Sequence, residues 1–186
     1  KQYRAVAGWF AVMEWIQYVS YVVLANEEYA PYNTAITAVA YVQICFQGFI
    51  IHYGNGYASP DLLRFIFLIS VSDLLMTIPI PGLAWNPDPN PYRWMAGTEW
   101  RTWQGAYHLA WSVPQTLATY YRPGVNHFLT MFGPFVAVGK WKHSLGLFVT
   151  GPLMSEWVVG GDVNQAGSVW CFQAVVIALA PMIRHS

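Results

Sequence analysis

Residues Ala5–Ala25 make one long apolar run in which Glu14 is the only charged side chain. Few folds accept such a run. As a helix, about 20 apolar residues cross the roughly 30 Å hydrocarbon core of a bilayer. In a soluble protein the same run would have to be buried. Further apolar stretches follow at about Thr34–Tyr53, Leu62–Ile80, Thr102–Tyr121, Val125–Gly139, Ser144–Gly160 and Asn164–Ile183. Only 10% of the 186 residues are charged and 55% are hydrophobic, where soluble domains usually carry about 25% charged residues. Ten Trp, twelve Tyr and ten Phe suit a membrane–water interface. The sequence therefore predicts an all-α, polytopic transmembrane bundle with six or seven membrane segments. It reads as a single integral membrane domain over residues 1–186, in a bacterial inner membrane or an organellar membrane. Residue 1 is Lys, and a further helix upstream is expected.

The polar residues inside these runs carry the functional argument. Glu14, Gln17 and Tyr21 are three and four residues apart, which stacks them on one stripe of a helix. A carboxyl at mid-membrane costs about 2.5–3.5 kcal/mol on insertion scales. Glu14 should then be protonated, paired or hydrated, for packing or for function. Gln43 and Gln47 lie one turn apart on the second segment and can bond across helices. Asp73 falls near the middle of the third, after a Ser59-Pro60-Asp61 start signal. In Thr102–Tyr121, His108, Ser112 and Gln115 fall at i, i+4 and i+7, so a helix would place them on one face, with a kink ahead of Pro114. Val125–Gly161 contains Gly133-Pro134 and Gly151-Pro152 and reads as two short, broken helices in a hairpin, spanning or re-entrant. With six net spans, Lys1, Arg4, Arg64, Arg122 and Arg184 share one side, in line with the positive-inside rule.

Several chemistries find no support. Net charge is zero and the nine Lys and Arg are scattered, which excludes a basic nucleic-acid surface. There is no H-E-x-x-H, no G-x-S-x-G elbow, no P-loop and no dinucleotide fingerprint. No catalytic or metal residues are assigned. Cys45 and Cys171 sit in apolar segments, as free thiols that pack like small hydrophobes. What remains is a buried polar cluster of Glu14, Gln17, Gln43, Gln47, Asp73, His108, Ser112 and Gln115. Lipid is the expected bound molecule, and pigment or haem ligation by His108 stays open. Three functions follow. The first is a non-catalytic accessory subunit of a larger membrane complex, an energy-transducing one among the candidates, with membrane lipids and other membrane-protein subunits as partners. The second is a small proton- or solute-translocating transporter or channel. The third is an intramembrane enzyme or a pigment- or metal-binding protein.

The order of several short motifs resembles an uncharacterised family of bacterial-type multi-pass membrane proteins. The resemblance rests on Met13-Glu14, Gln17 and Tyr21, on Phe46-Gln47, and on His108, Ala110-Trp111 and Pro114. It continues in Gly151-Pro152, Asn164, Trp170-Cys171, Pro181 and Arg184. Tyr107 stands where that pattern has Trp, His52 where it has Asn, and Leu147 where it has a second histidine. The likeness implies the fold and the polar set, and no mechanism.

Overall fold

A computed structural model describes residues 2–78, 95–114, 123–162, 164–171 and 173. Gln115, the proline-rich 86–91 and the Pro181 and Arg184 positions lie outside the described residues. The chain begins with α1 (Gln2–Ala25), a 3-10 turn (Glu27–Tyr32), α2 (Asn33–Asn55) and α3 (Pro60–Leu75). Strands β1 (Ala96–Gly97), β2 (Arg101–Gln104) and β3 (Leu109–Pro114) come next. Then follow α4 (Pro123–Ala137), α5 (Trp141–Phe148), a π-helical turn (Val149–Leu153) and α6 (Met154–Val158). Residues 164–171 are helical.

The helix boundaries follow ordinary capping chemistry. Asn26 Oδ1 accepts from the Glu28 N–H at 3.0 Å and opens the 3-10 turn. Gly56, at φ 66°, ends α2 in the left-handed region where only glycine sits without strain. Ser59 Oγ accepts from Leu62 N at 3.2 Å, and Pro60 takes the first helical position of α3. Pro152 has no N–H to give, and the helix widens there into the π turn. Side chains bond the carbonyls of the turn itself. Ser155 Oγ donates to Gly151 O at 2.8 Å. Gln173, with its amide nitrogen on the same side, donates to Thr150 O at 3.0 Å and Gly151 O at 3.2 Å.

The expected all-α bundle of six or seven membrane segments is corrected by two findings. First, the middle of the chain is a sheet. Its strand order is β1-β3-β2, with β3 parallel to β1 and antiparallel to β2. The register pairs Arg101 with Ser112 and Gln104 with Leu109. The described part of the expected helix over Thr102–Tyr121, residues 102–114, is thus a strand–turn–strand, and Pro114 stands in a strand rather than kinking a helix; residues 115–121 lie outside the described residues. The physical reason is burial on both faces: β3 is buried at every position but Ser112. A strand of that kind shows no alternation, and periodicity alone cannot tell it from a helix. Second, among the described residues one helical stretch, 27–55, is long and apolar enough to cross a membrane, at mean hydropathy 1.7. The core helix of a soluble protein and a signal sequence meet the same criterion. At 1.5 Å per residue α3 spans only about 24 Å and α4 about 22 Å, short of the hydrocarbon core.

Two apolar clusters hold the elements together. The first joins Met13 of α1, Tyr41, Ile44 and Cys45 of α2, and Leu109, Trp111 and Val113 of β3 to Cys171. The second joins Val6 and Phe10 of α1 and Ile51 of α2 to Met131, Phe132 and Phe135 of α4 and to Trp170. Gly48 lets α2 and α4 approach closely, because a Cβ there would stand 3.0 Å from the Thr130 backbone.

Candidate functional site

The centre of the fold is lined by polar side chains from α1, α2 and β3. On α1, Gln17 and Ser20 are buried while Glu14, one turn before Gln17, is half-buried. Gln17 Nε2 points at Glu14 Oε1 across 3.5 Å, the long limit of a hydrogen bond. From α2, Gln43 Nε2 donates to the carbonyl of Trp9, and Gln47 Nε2 donates to Cys171 Sγ at 3.4 Å. Glu14 lies within electrostatic reach of the same Cys171. Glu14, Gln17, Gln43 and Gln47 therefore gather on the facing sides of α1 and α2, closed off by β3 and residues 164–171.

Four buried polar atoms on these elements have no hydrogen-bond partner: the indole nitrogens of Trp9 and Trp111 and the amide oxygens of Gln17 and Gln43. Two are donors and two are acceptors. Buried groups of this kind are costly unless something polar meets them. The set suits water or a small solute carrying both hydrogen-bonding senses.

The other residues expected in the cluster lie elsewhere. Asp73 is buried at the α3–α4 junction, where Asn126 Nδ2 donates to its Oδ1 at 3.0 Å. Ser112 turns away from the interior and donates to Glu99 O at 3.0 Å. His108 sits in the turn between β2 and β3, its ring edge-on to Tyr21 at 5.8 Å. Tyr21 is two turns along α1 from Glu14, so His108 flanks the polar interior rather than centring it. Burial holds its imidazole below the ordinary range, and its Nδ1 has no partner. The shared helical face expected for His108 and Ser112 does not exist, because no helix carries them. Among the described residues, no group of three or more His, Cys, Asp or Glu is placed to hold a metal ion.

Two polar devices lay outside the sequence-derived set. Asn33, at the start of α2, donates through Nδ2 to Thr102 O at 2.7 Å and accepts at Oδ1 from Thr102 N at 2.8 Å. Gln165 Oε1 accepts from the backbone N–H groups of Tyr107 at 2.8 Å and His108 at 3.1 Å. Both amides bind backbone far away in sequence, and no local spacing announces such contacts.

No curated protein and no solved structure matches the chain. One family does, described as a family of unknown function (DUF5765), and it matches residues 1–186. The chain, from its first residue to its last, belongs to that family.

Proposed function

We propose that the protein is a membrane-embedded, non-catalytic accessory subunit of a larger membrane complex, in a bacterial inner membrane or an organellar membrane. One observation carries the reading: large apolar side chains stand on the outside while several strongly polar ones are buried. Trp157 is 81% exposed, and Trp15 and Leu68 are each 64% exposed. Gln17, Gln47, His52 and Asp73 are all at most 3% exposed. Water disfavours that arrangement and hydrocarbon favours it, since polar side chains in a membrane turn toward the protein interior. The stretch 27–55 supplies the anchoring helix. The apolar outer faces of α1, α3 and α5 meet lipid or sister subunits. A sheet at membrane depth is tolerated where protein buries it, and β3 is so buried.

The test is gentle release from the native membrane followed by native mass spectrometry. Stoichiometric partner subunits are expected, and a solitary chain would overturn the assignment. A second reading, translocation of protons or a small polar solute, draws on the unpartnered buried atoms of Trp9, Gln17, Gln43 and Trp111 and on half-buried Glu14. Glu14→Gln should then abolish flux in proteoliposomes, and unchanged flux would eliminate that reading.

A further inference from the structure

The α4–α5 hairpin carries an open apolar groove of about 480 Å³. Phe128, Leu129, Phe132, Val136, Leu145 and Phe148 form its walls. The two helices are fixed to one another: Ser144 Oγ donates to Phe132 O at 3.1 Å, and the Phe132 and Phe148 rings meet edge to face at 5.6 Å. The groove runs from Val125 to Val136 along α4. At 1.5 Å per residue that is about 16 Å. One leaflet of a bilayer core is about 15 Å deep, half of the full thickness.

One end of the groove is cationic and aromatic. Trp141 belongs to its wall, and Lys140, Lys142 and His143 surround that tryptophan in sequence. Lys140 Nζ stands 4.2 Å above the Tyr57 ring, and Lys142 Nζ stands 5.7 Å from the Trp141 ring. Lys142 and His143 are exposed. No acid occurs between Ala137 and Leu153, so nothing in this turn neutralises the lysines from within. Aromatic rings and lysines at one level are the usual furniture of the headgroup region. The opposite end, at Val125 and Phe148, is apolar.

We infer that this hairpin binds one anionic phospholipid, an acyl chain lying in the groove and the phosphate held at Lys140 and Lys142. The inference rests on the membrane reading above and deepens it by naming a lipid class and its seat. Length matches one leaflet, and charge complements the headgroup. A neutral apolar occupant would use the walls and leave the two lysines idle.

Gly133 provides a clean test, because a Cβ built there meets nothing within 4 Å. Gly133→Leu should therefore fill the groove without forcing its neighbours apart, and circular dichroism of the purified variant checks that it folds. The probes are dioleoyl phosphatidylglycerol and dioleoyl phosphatidylcholine, titrated separately onto the purified chain in mild detergent. Retained lipid is counted by native mass spectrometry. The wild type should keep one phosphatidylglycerol and prefer it over phosphatidylcholine. Lys140→Glu with Lys142→Glu should erase a preference of about thirtyfold, at about fivefold for each lysine near a headgroup. Gly133→Leu should remove the bound lipid of either kind. Equal retention of the two lipids by the wild type would overturn the assignment and leave the groove to an apolar helix of another subunit. Phosphatidylglycerol binding that survives Gly133→Leu would overturn it as well. Carbonate extraction of native membranes separates the two levels of the reading. A chain that stays with the membrane yet shows no headgroup preference defeats the lipid site alone. A chain released by carbonate defeats the membrane reading on its own.

Discussion

Gly105 and Gln165 should behave as one unit, and a double-mutant cycle measures it. Gly105 has no left-handed backbone that would require glycine. Space is the reason for it: a Cβ would stand 2.2 Å from both Cδ and Oε1 of Gln165. Gly105→Ala must swing the Gln165 amide away, and the swing breaks its bonds to Tyr107 N and His108 N together. At about 0.5–1.5 kcal/mol per bond the loss is about 1–3 kcal/mol. Alanine restricts the unfolded chain and returns about 0.4–1 kcal/mol. Gln165→Ala breaks the same two bonds, loses the donation from Nε2 to Asp162 Oδ2 as well, and vacates the space. In that background Gly105→Ala should be neutral or stabilising. The melting temperature in mild detergent reads this out, at about 2–4 °C per kcal/mol for a chain of this size. Gly105→Ala should melt lower by up to about 10 °C, Gln165→Ala by at least as much, and the double variant no lower than Gln165→Ala alone. If the two losses simply add, the contact does not couple these residues and the account of Gly105 is wrong.

Asn33→Ala removes both amide bonds to the Thr102 backbone and should cost about 1–3 kcal/mol, and Asn33→Asp, which sets a carboxylate oxygen against Thr102 O, should cost at least as much; melting curves of the two variants check the order. Burial lowers the affinity of His108 for protons in the folded state, so the unfolded chain binds protons first as pH falls. Its stabilising contribution is complete above about pH 6.5 and is lost as pH drops through the folded value. The melting temperature of the wild type should accordingly fall more between about pH 7.5 and 5.5 than that of His108→Gln, and parallel profiles would refute the assignment. Cys45 and Cys171 are free thiols, each only 4% exposed. Neither should react with a membrane-impermeant maleimide until the protein is denatured, and labelling of the folded chain would contradict the packing.

Most helices were legible because their signals are local. Ser59-Pro60 announces α3, and the glycines at 54 and 56 announce the end of α2. The break at Gly151-Pro152 was visible too, but its purpose was not. A Cβ at residue 151 would stand 2.5 Å from Trp170 Nε1, so that glycine seats a tryptophan from another part of the chain. The central sheet was hidden for a different reason. Leu109, Ala110, Trp111 and Val113 are buried on both faces of β3, which leaves a continuous apolar run with no period to read. Of the polar set, Glu14 and Gln17 share a face of α1 and Gln43 and Gln47 a face of α2, because i, i+3 and i, i+4 spacing is real on helices. The same spacing misled for His108 and Ser112, because His108 lies in the turn ahead of β3 and Ser112 lies on the strand, so no helix face holds the two together.

A short sheet in a mostly helical, apolar chain raises a problem that the side chains answer. Unpaired strand edges leave backbone N–H and C=O groups without partners, and burial makes each one expensive. β3 avoids the difficulty by lying between β1 and β2. β2 has a free edge, and the amide of Asn33 occupies it as a strand would, accepting from and donating to the same residue, Thr102. The Thr37 and Thr102 hydroxyls meet at 2.6 Å beside that contact and extend the tie by one helical turn. At the other end, Gln165 caps the turn, and Ser168 Oγ donates to Leu109 O where β3 begins. Helices α2 and 164–171 thus each lend polar side chains to the sheet while presenting apolar ones to the core. That division explains how so apolar a chain accommodates strands at all: backbone groups of the strands and their turn that lie off the ladder are met by Asn33, Gln165 and Ser168. It also locates the weakest joints of the fold, since each of these ties is a side chain that one substitution removes, whereas the ladder between β2 and β3 depends on no side chain.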